Sequence, residues 1–297
     1  MAYITRILKL ACLGLLFLET VATAQDSAYA RRIIRDLSSP AMFGRGMQHR
    51  GDSIAAAYLR QEFIRNGVKP LGKDYYQYFR FPQTRTTPPI VKAGYRSQNV
   101  CGYIPGELDS MIVFTAHYEH LGMHGDTIFP GAHDNASGVA AVMDLARMAN
   151  EQRGHYTYVF LLFGGEESGL IGSAFFADVP LIKMNKVKLL VNIDLFCGGD
   201  EGLMVVNANA PETEPYIDLL QRLNEERGYT AKVARRDNAA NSDHYFLSQL
   251  CPAVFIYTLG GPFGGYHSPS DTCEGCGLGH YNDHIALLRS FLQHLEN

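Results

Sequence analysis

From residue 111 onward, short apolar runs alternate with segments whose apolar residues recur at helical spacing. Strands that alternate with helices are typical of an α/β sandwich, in which helices cover both faces of a mostly parallel sheet. We therefore expect an α/β fold, a three-layer sandwich with a mostly parallel, mixed central β-sheet. The predicted elements are strands 111–117, 157–163, 187–194, 203–208 and 253–259, and helices 136–150, 168–178, 213–227, near 242–250 and 281–295.

The chain before residue 111 has a less regular pattern. It shows no internal repeat, low-complexity linker or change of composition relative to the rest of the sequence. We therefore predict a single domain over residues 25–297. The predicted elements here are a helical segment near Tyr29–Leu37, a helix over Ser53–Asn66, an aromatic edge strand over Tyr75–Thr87 and a short strand over Asn99–Ile104.

The first residues have the pattern of a secretory signal peptide. Arg6 and Lys9 precede an apolar run that ends in Ala24, so we predict a leader over residues 1–24 that is removed from the mature protein. Cys12 lies at the front of this run rather than behind it, so we do not expect it to carry a lipid. No later run is long enough to span a bilayer. The sequence predicts an exported protein, periplasmic or extracellular, with no membrane insertion.

The charge balance limits the possible partners. The chain has 26 Lys and Arg against 30 Asp and Glu, for a net charge of −4, and no basic cluster. Because nucleic acids and anionic lipids are bound through clustered positive charge, we expect neither as a partner. Nothing in the sequence indicates the oligomeric state.

Five cysteines follow the predicted leader. Cys101, Cys197 and Cys251 lie in or beside apolar runs, so we expect them to be buried small hydrophobic side chains. Cys273 and Cys276 have the spacing of half a zinc ribbon, but the second half is missing. In an oxidising compartment a local disulfide between Cys273 and Cys276 is the favoured interpretation, and two free thiols are the alternative.

Acidic and imidazole side chains follow the ends of the predicted strands. Each of them has an ordinary explanation when taken alone, such as a helix cap, a charged helix start or a turn residue. In open α/β sheets, however, the carboxyl ends of the strands form the ligand site, and several such residues at these ends predict one polar site. The residues are His117, Asp134, Glu166 with Glu167, Asp194 and His267.

The residue types in this set suit a pair of zinc ions. Imidazole and carboxylate groups are both accepted zinc ligands, and one carboxylate can bridge two ions. Two metals about 3.5–4 Å apart can activate one water and polarise one carbonyl together. His120 follows His117 at a spacing of three, and His124 follows His120 at a spacing of four, as in a helical zinc motif. Gly122 and Gly125 argue against a helix there, so we expect His120 and His124 to be loop histidines.

Six motifs in chain order carry a resemblance to a known family. They are TAHYEHLG, GAHDNASG, GGEESGLIGS, VNIDLF, SDHYF and GYHSPSDT. In these motifs the chain resembles the dizinc aminopeptidases of the bacterial leucyl aminopeptidase and aminopeptidase Y type. The similarity extends over nearly the whole mature chain and includes the turn at residues 44–46. It implies a zinc exopeptidase fold of the phosphorylase/hydrolase-like kind that releases amino-terminal residues from peptides.

The resemblance also implies a role for each site residue. The zinc ligands would be His117, Asp134, Glu167, Asp194 and His267. Asp134 would bridge the two ions, with His117 and Asp194 on one ion and Glu167 and His267 on the other. Glu166 would be the general base, and the peptide bond between Asp134 and Asn135 would be cis.

The sequence departs from the family pattern at three positions. Glu119 stands where Asp is usual after the first His, Leu195 follows the Asn-Ile-Asp motif, and Ser268 stands where Thr is more usual. A metal-bound histidine normally donates its other ring N–H to a carboxylate. We expect Glu119 to orient His117 in this way, and its extra length to make the zinc site of His117 and Asp194 the weaker one.

Two other functions are compatible with this pattern. Glutaminyl-peptide cyclotransferases share the expected architecture around a single zinc ion, but they usually carry Trp before the final His, where this chain has Tyr266. A non-catalytic binding protein on the same fold would normally lose ligands, and here all five are present. The favoured function is a secreted zinc-dependent aminopeptidase with two zinc ions and a peptide or amino-acyl substrate.

Overall fold

The structure is a computed structural model, and it describes residues 27–81, 94–261 and 265–297. The predicted leader and the second half of the predicted strand Tyr75–Thr87 lie outside the described residues. The helices are α1 (residues 27–37), α2 (Gly51–Arg65), α3 (Ser137–Glu151), α4 (Ile171–Asp178), α5 (Glu214–Arg227), α6 (His244–Leu247) and α7 (Tyr281–Glu296). The strands are β1 (Lys69–Pro70), β2 (Tyr76–Arg80), β3 (Arg96–Ile104), β4 (Met111–His117), β5 (Met123–His124), β6 (Thr127–Ile128), β7 (Thr157–Phe163), β8 (Val187–Ile193), β9 (Gly202–Val206), β10 (Val233–Arg236) and β11 (Ala253–Leu259).

One mixed sheet forms the middle of the molecule, as predicted. Its order is β1-β3-β7-β4-β8-β11-β9-β10, and β2 also pairs with β3. The central strands β7, β4, β8 and β11 are parallel to one another, whereas β3 and β9 join them antiparallel at the two sides. The parallel strands are thus the ones whose carboxyl ends meet at one edge.

The strand side chains are divided between two apolar layers. In β4, Ile112 and Phe114 belong to the core that includes α2, α3, α5 and α7. Val113, between them, belongs to a second core with Phe176 of α4 and Leu247 of α6. Because successive strand residues point to opposite faces, a strand that is buried throughout requires cover on both sides. The three-layer arrangement follows from this pattern.

A turn before α2 packs against the loop that follows β4. The turn covers Pro40–Arg45, and the Gly122 amide donates a hydrogen bond to the carbonyl of Gly44 at 3.0 Å. A Cβ atom on Gly44 would overlap the carbonyl oxygen of Gly122, and one on Gly46 would lie 2.5 Å from the Cα of Gly122. Since no side chain fits here, glycine is required for this contact.

The disulfide prediction was wrong. Cys197 is bonded to Cys276 over a sequence separation of 79 residues, with a Cα–Cα distance of 5.4 Å, and Cys273 is free. Cys276 is 3% exposed and packs in the core, where it meets the loop after β8. Cys101 and Cys251 are buried free thiols, as expected.

In the part of the chain that the structure describes, no helix combines the length and apolar character needed to cross a membrane.

Candidate active site

The ends of three adjacent parallel strands bring the predicted residues together. His117 is the last residue of β4 and pairs in register with Phe163, the last residue of β7. Glu166 and Glu167 follow β7 directly, and Asp194 follows β8 on the other side of β4. These four side chains therefore start from the same edge of the sheet, as the strand pattern predicted.

Asp134 lies between the two predicted histidine ligands. Its Oδ1 is 3.2 Å from Nε2 of His117, and its Oδ2 is 3.1 Å from Nε2 of His267. Oδ1 of Asp194 is 3.3 Å from Nε2 of His117, and Oε2 of Glu167 is 3.1 Å from Nε2 of His267. The two oxygens of Asp134 thus face two separate groups of donors, as they would in a carboxylate that bridges two ions.

The loop that carries Asp134 is held by hydrogen bonds between side chains and main-chain groups. The carboxylate of Asp271 accepts the amide N–H of His133 at 2.7 Å and that of Asp134 at 3.0 Å. The side-chain amide of Asn135 donates to the carbonyl of Ile193 at 3.0 Å, which ties the loop to β8. The peptide bond between Asp134 and Asn135 is cis, as the resemblance implied.

His120 belongs to the site, although we predicted only a loop histidine. Its Nδ1 is 2.6 Å from Oε1 of Glu167, and its Nε2 is buried with no hydrogen-bond partner among the described residues. Ligand atoms of His120, Asp134 and Glu167 lie within 4.8 Å of one another, as do those of His117, Glu166 and Asp194. The structure therefore offers two neighbouring groups of metal-binding atoms.

The role of Glu119 differs from our expectation. Nδ1 of His117 is 3.1 Å from the main-chain oxygen of Glu119 and 3.6 Å from its Oε2. Oε1 of Glu119 instead accepts the amide N–H of Glu167 at 2.9 Å. The ring of His117 is thus oriented mainly by the main chain, and the carboxylate of Glu119 holds the segment that carries Glu167.

Burial and mutual attraction shift the pKa values of the central groups. Burial of Asp134 acts to raise its pKa, but hydrogen bonds from His117 and His267 hold that pKa well below its usual value. Hydrogen bonds to Asp134 and Glu167 raise the pKa of His267 to about 10. Burial and the carboxylate of Asp243 raise the pKa of Glu166 well above its usual value, although the nearby His117 opposes this. The carboxylates of the site outnumber its histidines, and a buried group of carboxylates is stabilised by bound cations.

The donor atoms fit divalent metal ions such as zinc. Oδ1 of Asp194 and Nε2 of His120 are both buried without a hydrogen-bond partner in the described part of the chain. A buried polar atom without a partner is costly, whereas metal coordination satisfies it. Imidazole nitrogen and carboxylate oxygen are the ligands expected for zinc in a protein that has no cysteine at the site.

A cavity of about 270 Å³ opens directly beside this cluster. His117, Asp134, Glu166 and Asp194 form its polar side. The aromatic ring of Tyr266 stacks on His267 with a centroid distance of 3.9 Å, and burial and the nearby carboxylates raise the pKa of its hydroxyl group. The other lining residues are Leu195, Asn241, Phe255, Tyr257 and Tyr266.

The family model of peptidase family M28 matches residues 99–292, about two thirds of the chain. The chain belongs to peptidase family M28. A probable zinc metalloprotease of Pyricularia oryzae is 37% identical over 102 residues, which are 33% of this chain and 20% of that protein. Leucine aminopeptidase 2 of Arthroderma otae is 26% identical over 192 residues, 54% of this chain and 38% of that protein. The M28 chain thus spans less than two fifths of either relative.

Two solved structures share the fold of this M28 chain. A leucine aminopeptidase precursor from Bacteroides thetaiotaomicron has a TM-score of 0.70 at 16% identity, covering 88% of this chain and 94% of that one. A glutaminyl cyclase from Porphyromonas gingivalis has a TM-score of 0.73 at 15% identity, covering 90% of this chain and 98% of that one. At these identities the likeness concerns the fold alone, so the fold does not separate a peptidase from a cyclase.

Sequence reasoning missed three contributors to the M28 site, although each lies in a segment that we had singled out. His120 is part of TAHYEHLG, Asp271 is part of GYHSPSDT, and Arg45 is the centre of the turn at residues 44–46. The motifs indicated where chemistry is concentrated. They did not show which side chains contact the ligands, because those contacts join segments far apart in the chain.

The contact between Glu119 and Glu167 makes a prediction for metal retention. In Glu119→Ala, the amide N–H of Glu167 loses its acceptor. We expect metal affinity to fall by about 10–100-fold, as is usual when a residue that supports a metal ligand is lost. Glu119→Gln keeps an acceptor oxygen of the same reach and is expected to retain more metal than Glu119→Ala. Zinc per chain is measured after dialysis against a mild chelator. A Glu119→Ala protein that keeps all its zinc would contradict this role.

Proposed function

We propose that this M28 protein is an exported zinc-dependent aminopeptidase that binds two zinc ions and uses Glu166 as general base. The position of Asp134 carries the proposal, because its two carboxylate oxygens face two separate groups of ligand atoms. The family and the names of the relatives support zinc-dependent peptide hydrolysis. We further propose that residues 1–24 are removed on export and that residues 25–297 form one catalytic domain.

Each residue has a defined task in this mechanism. His117 and Asp194 would hold one ion, Glu167 and His267 the other, and Asp134 both. Bound zinc supplies an activated water and polarises the carbonyl that is attacked. Glu166 lines the cavity beside His117 and Asp194. From there its carboxylate can take the proton from water and pass it to the leaving amine.

The cavity lining supports a preference for apolar amino-terminal residues. Phe255 and Leu195 offer apolar surface, and Tyr257 and Tyr266 present aromatic rings. Among the lining residues that the structure describes, no Lys or Arg could pair with an acidic side chain. The acidic residues of the cavity, Asp134, Glu166 and Asp194, attract the positively charged amino group of a peptide. We therefore expect leucyl and phenylalanyl substrates to be preferred over aspartyl substrates.

Three assays on one preparation test the proposed function. We expect leucyl and phenylalanyl anilides to be cleaved with a kcat/KM at least about tenfold above that of aspartyl anilide, since a misplaced charge costs more than a methylene group. Zinc analysis should give two ions per chain, and a glutaminyl peptide should lose free glutamine. Formation of pyroglutamyl peptide with one zinc ion would instead show a cyclotransferase. Metal binding without any turnover would show a binding protein.

A further inference from the structure

Arg45 is a fully buried cation next to the candidate site. Its side chain has 0% exposure and is among the largest fully buried side chains of the described residues. The residue lies in the left-handed region with a φ of 53°, as do its neighbours Phe43 and Gly44. A non-glycine residue in this region costs about 1–3 kcal/mol and persists where the surrounding structure requires it. Contacts with the surrounding structure therefore offset the strain of this turn.

All N–H groups of the Arg45 guanidinium are directed at main-chain carbonyls. A guanidinium has five N–H donors in a planar fork, so five well-placed acceptors use all of them. The acceptors come from the end of α1, from the loop after β4 and from the loop that carries Asp134. The carbonyl oxygen of Tyr118 lies 2.7 Å from Nε. Those of Leu37 and Pro130 lie 2.9 Å and 2.6 Å from Nη1, and those of Gly131 and Asp134 lie 2.7 Å and 3.3 Å from Nη2.

Four of these carbonyls belong to segments that place metal-binding side chains. Tyr118 lies between His117 and Glu119, and the fifth carbonyl belongs to Asp134 itself. One rigid group thus links the end of β4 to the loop that carries the shared carboxylate. A displacement of this loop would move both oxygens of Asp134 relative to their partners.

The charge of Arg45 has no carboxylate partner at ion-pair distance within the described part of the chain. Burial lowers its pKa to about 10, so it stays positive at neutral pH, and the site carboxylates oppose the lowering. Those carboxylates are Asp271, Asp134, Glu119 and Glu167, which belong to the site or hold its loops. A buried cation without a direct partner acts on charges over several ångströms, because little water is present to screen it.

We propose that Arg45 is a positioning residue for the metal site: it fixes the main chain of Tyr118 and Asp134, and its buried charge offsets the excess of carboxylates around Glu167. The inference rests on the proposed function in requiring metal at this site, but it does not depend on which bond the enzyme cleaves. Lysine keeps the charge yet has one nitrogen with three donors, which cannot serve five carbonyls in three segments. Arg45→Lys therefore separates the hydrogen bonds from the charge.

Cobalt binding to the purified full chain tests this role. We expect Arg45→Lys to bind Co²⁺ about 10–100-fold more weakly than the parent, because loss of a residue that supports metal ligands usually lowers metal affinity by this factor. We also expect an altered visible absorption spectrum of the bound Co²⁺. Arg32→Lys is the matched control, because Arg32 pairs with Glu62 in a different part of the molecule and is expected to bind Co²⁺ like the parent. A merely structural Arg45 would lower the unfolding midpoint but leave the cobalt affinity and spectrum of the folded protein unchanged.

If Arg45→Lys does not fold, a second pair of variants tests whether the loop that Arg45 holds sets the metal affinity. Gly131 and Gly125 both have a φ of 59°, so an alanine at either position meets the same backbone strain. A Cβ on Gly131 would overlap the Asp134 carbonyl oxygen, which Arg45 binds, and would lie 2.5 Å from Cδ2 of His120 and 2.6 Å from Nη2 of Arg45. A Cβ on Gly125 meets nothing within 4 Å. We expect Gly131→Ala to weaken cobalt binding and Gly125→Ala to leave it unchanged.

The outcomes distinguish this inference from the proposed function. A folded Arg45→Lys protein with the cobalt affinity and spectrum of the parent overturns the role of Arg45, even if the parent is an active peptidase. So does equal cobalt binding by Gly131→Ala and Gly125→Ala. A parent that binds cobalt but cleaves no peptide overturns the proposed function, and the comparison of the variants still decides the role of Arg45.

Discussion

Glu166→Gln is expected to lower kcat by about 10²–10⁴-fold, the usual size of a lost general base, while the zinc content stays that of the parent. Glutamine has the size of glutamate and can accept a hydrogen bond, but it cannot take a proton from water. Glu166 faces the cavity beside His117 and Asp194, so its loss affects proton transfer rather than the fold. Steady-state kinetics with a leucyl anilide and metal analysis of the same sample measure both quantities.

Glu167→Gln is the matched control for this prediction. The substitution is the same and the residue is adjacent, but the Glu167 carboxylate contacts His120 and His267. We therefore expect Glu167→Gln to lose zinc together with activity, whereas Glu166→Gln loses activity alone. Glu166 comes close enough to His117 and Asp194 to be a ligand itself. Loss of zinc from Glu166→Gln would assign it that role, and an active Glu166→Gln enzyme with full zinc would rule out the base.

Removal of the disulfide is expected to cost about 4.5 kcal/mol in the free energy of unfolding, the chain-entropy estimate for a closed loop of this length. The bond joins Cys197 and Cys276 over a separation of 79 residues, so it restricts a large part of the unfolded chain. Urea unfolding of the double variant Cys197→Ala/Cys276→Ala, compared with the parent, measures the loss.

Cys273→Ala provides the control for the disulfide. Cys273 is a free, partly exposed thiol three positions from Cys276, so its substitution is expected to change stability by no more than about 0.5 kcal/mol, the usual range for surface sites. Peptide mapping without reduction should recover residues 197 and 276 in one linked fragment. A link between Cys273 and Cys276 in that map, or a double variant as stable as the parent, would contradict the structure.

The elements predicted best from the sequence are those with a regular pattern of apolar residues. Strands β4, β7 and β11 have the predicted bounds, because each is a continuous apolar run closed by polar residues or glycine. Strand β10 was missed, since it has four residues and two of them are Arg235 and Arg236, which do not read as a buried run. The two-residue strands β1, β5 and β6 are too short for any period to appear.

In the site, too, residues that follow from a local sequence pattern were predicted, and contacts between distant segments were not. The strand ends identified His117, Glu166, Glu167 and Asp194, because a parallel sheet places such residues at one edge. The contact of His120 with Glu167 and the pairing of Cys197 with Cys276 depend on how loops turn in three dimensions. No spacing rule contains that information. The cysteine pair closest in sequence was therefore the wrong choice.

The glycine contact between the turn before α2 and the loop after β4 bears on how substrate preference could change during evolution. Residues 44–46 pack against Gly122, and none of these residues lines the described cavity. The cavity wall is contributed by other segments, at Leu195, Asn241 and Tyr257. Single substitutions in that wall can alter the accepted side chain without disturbing the support of Asp134, whereas residues 44–46 and Gly122 must vary together or not at all.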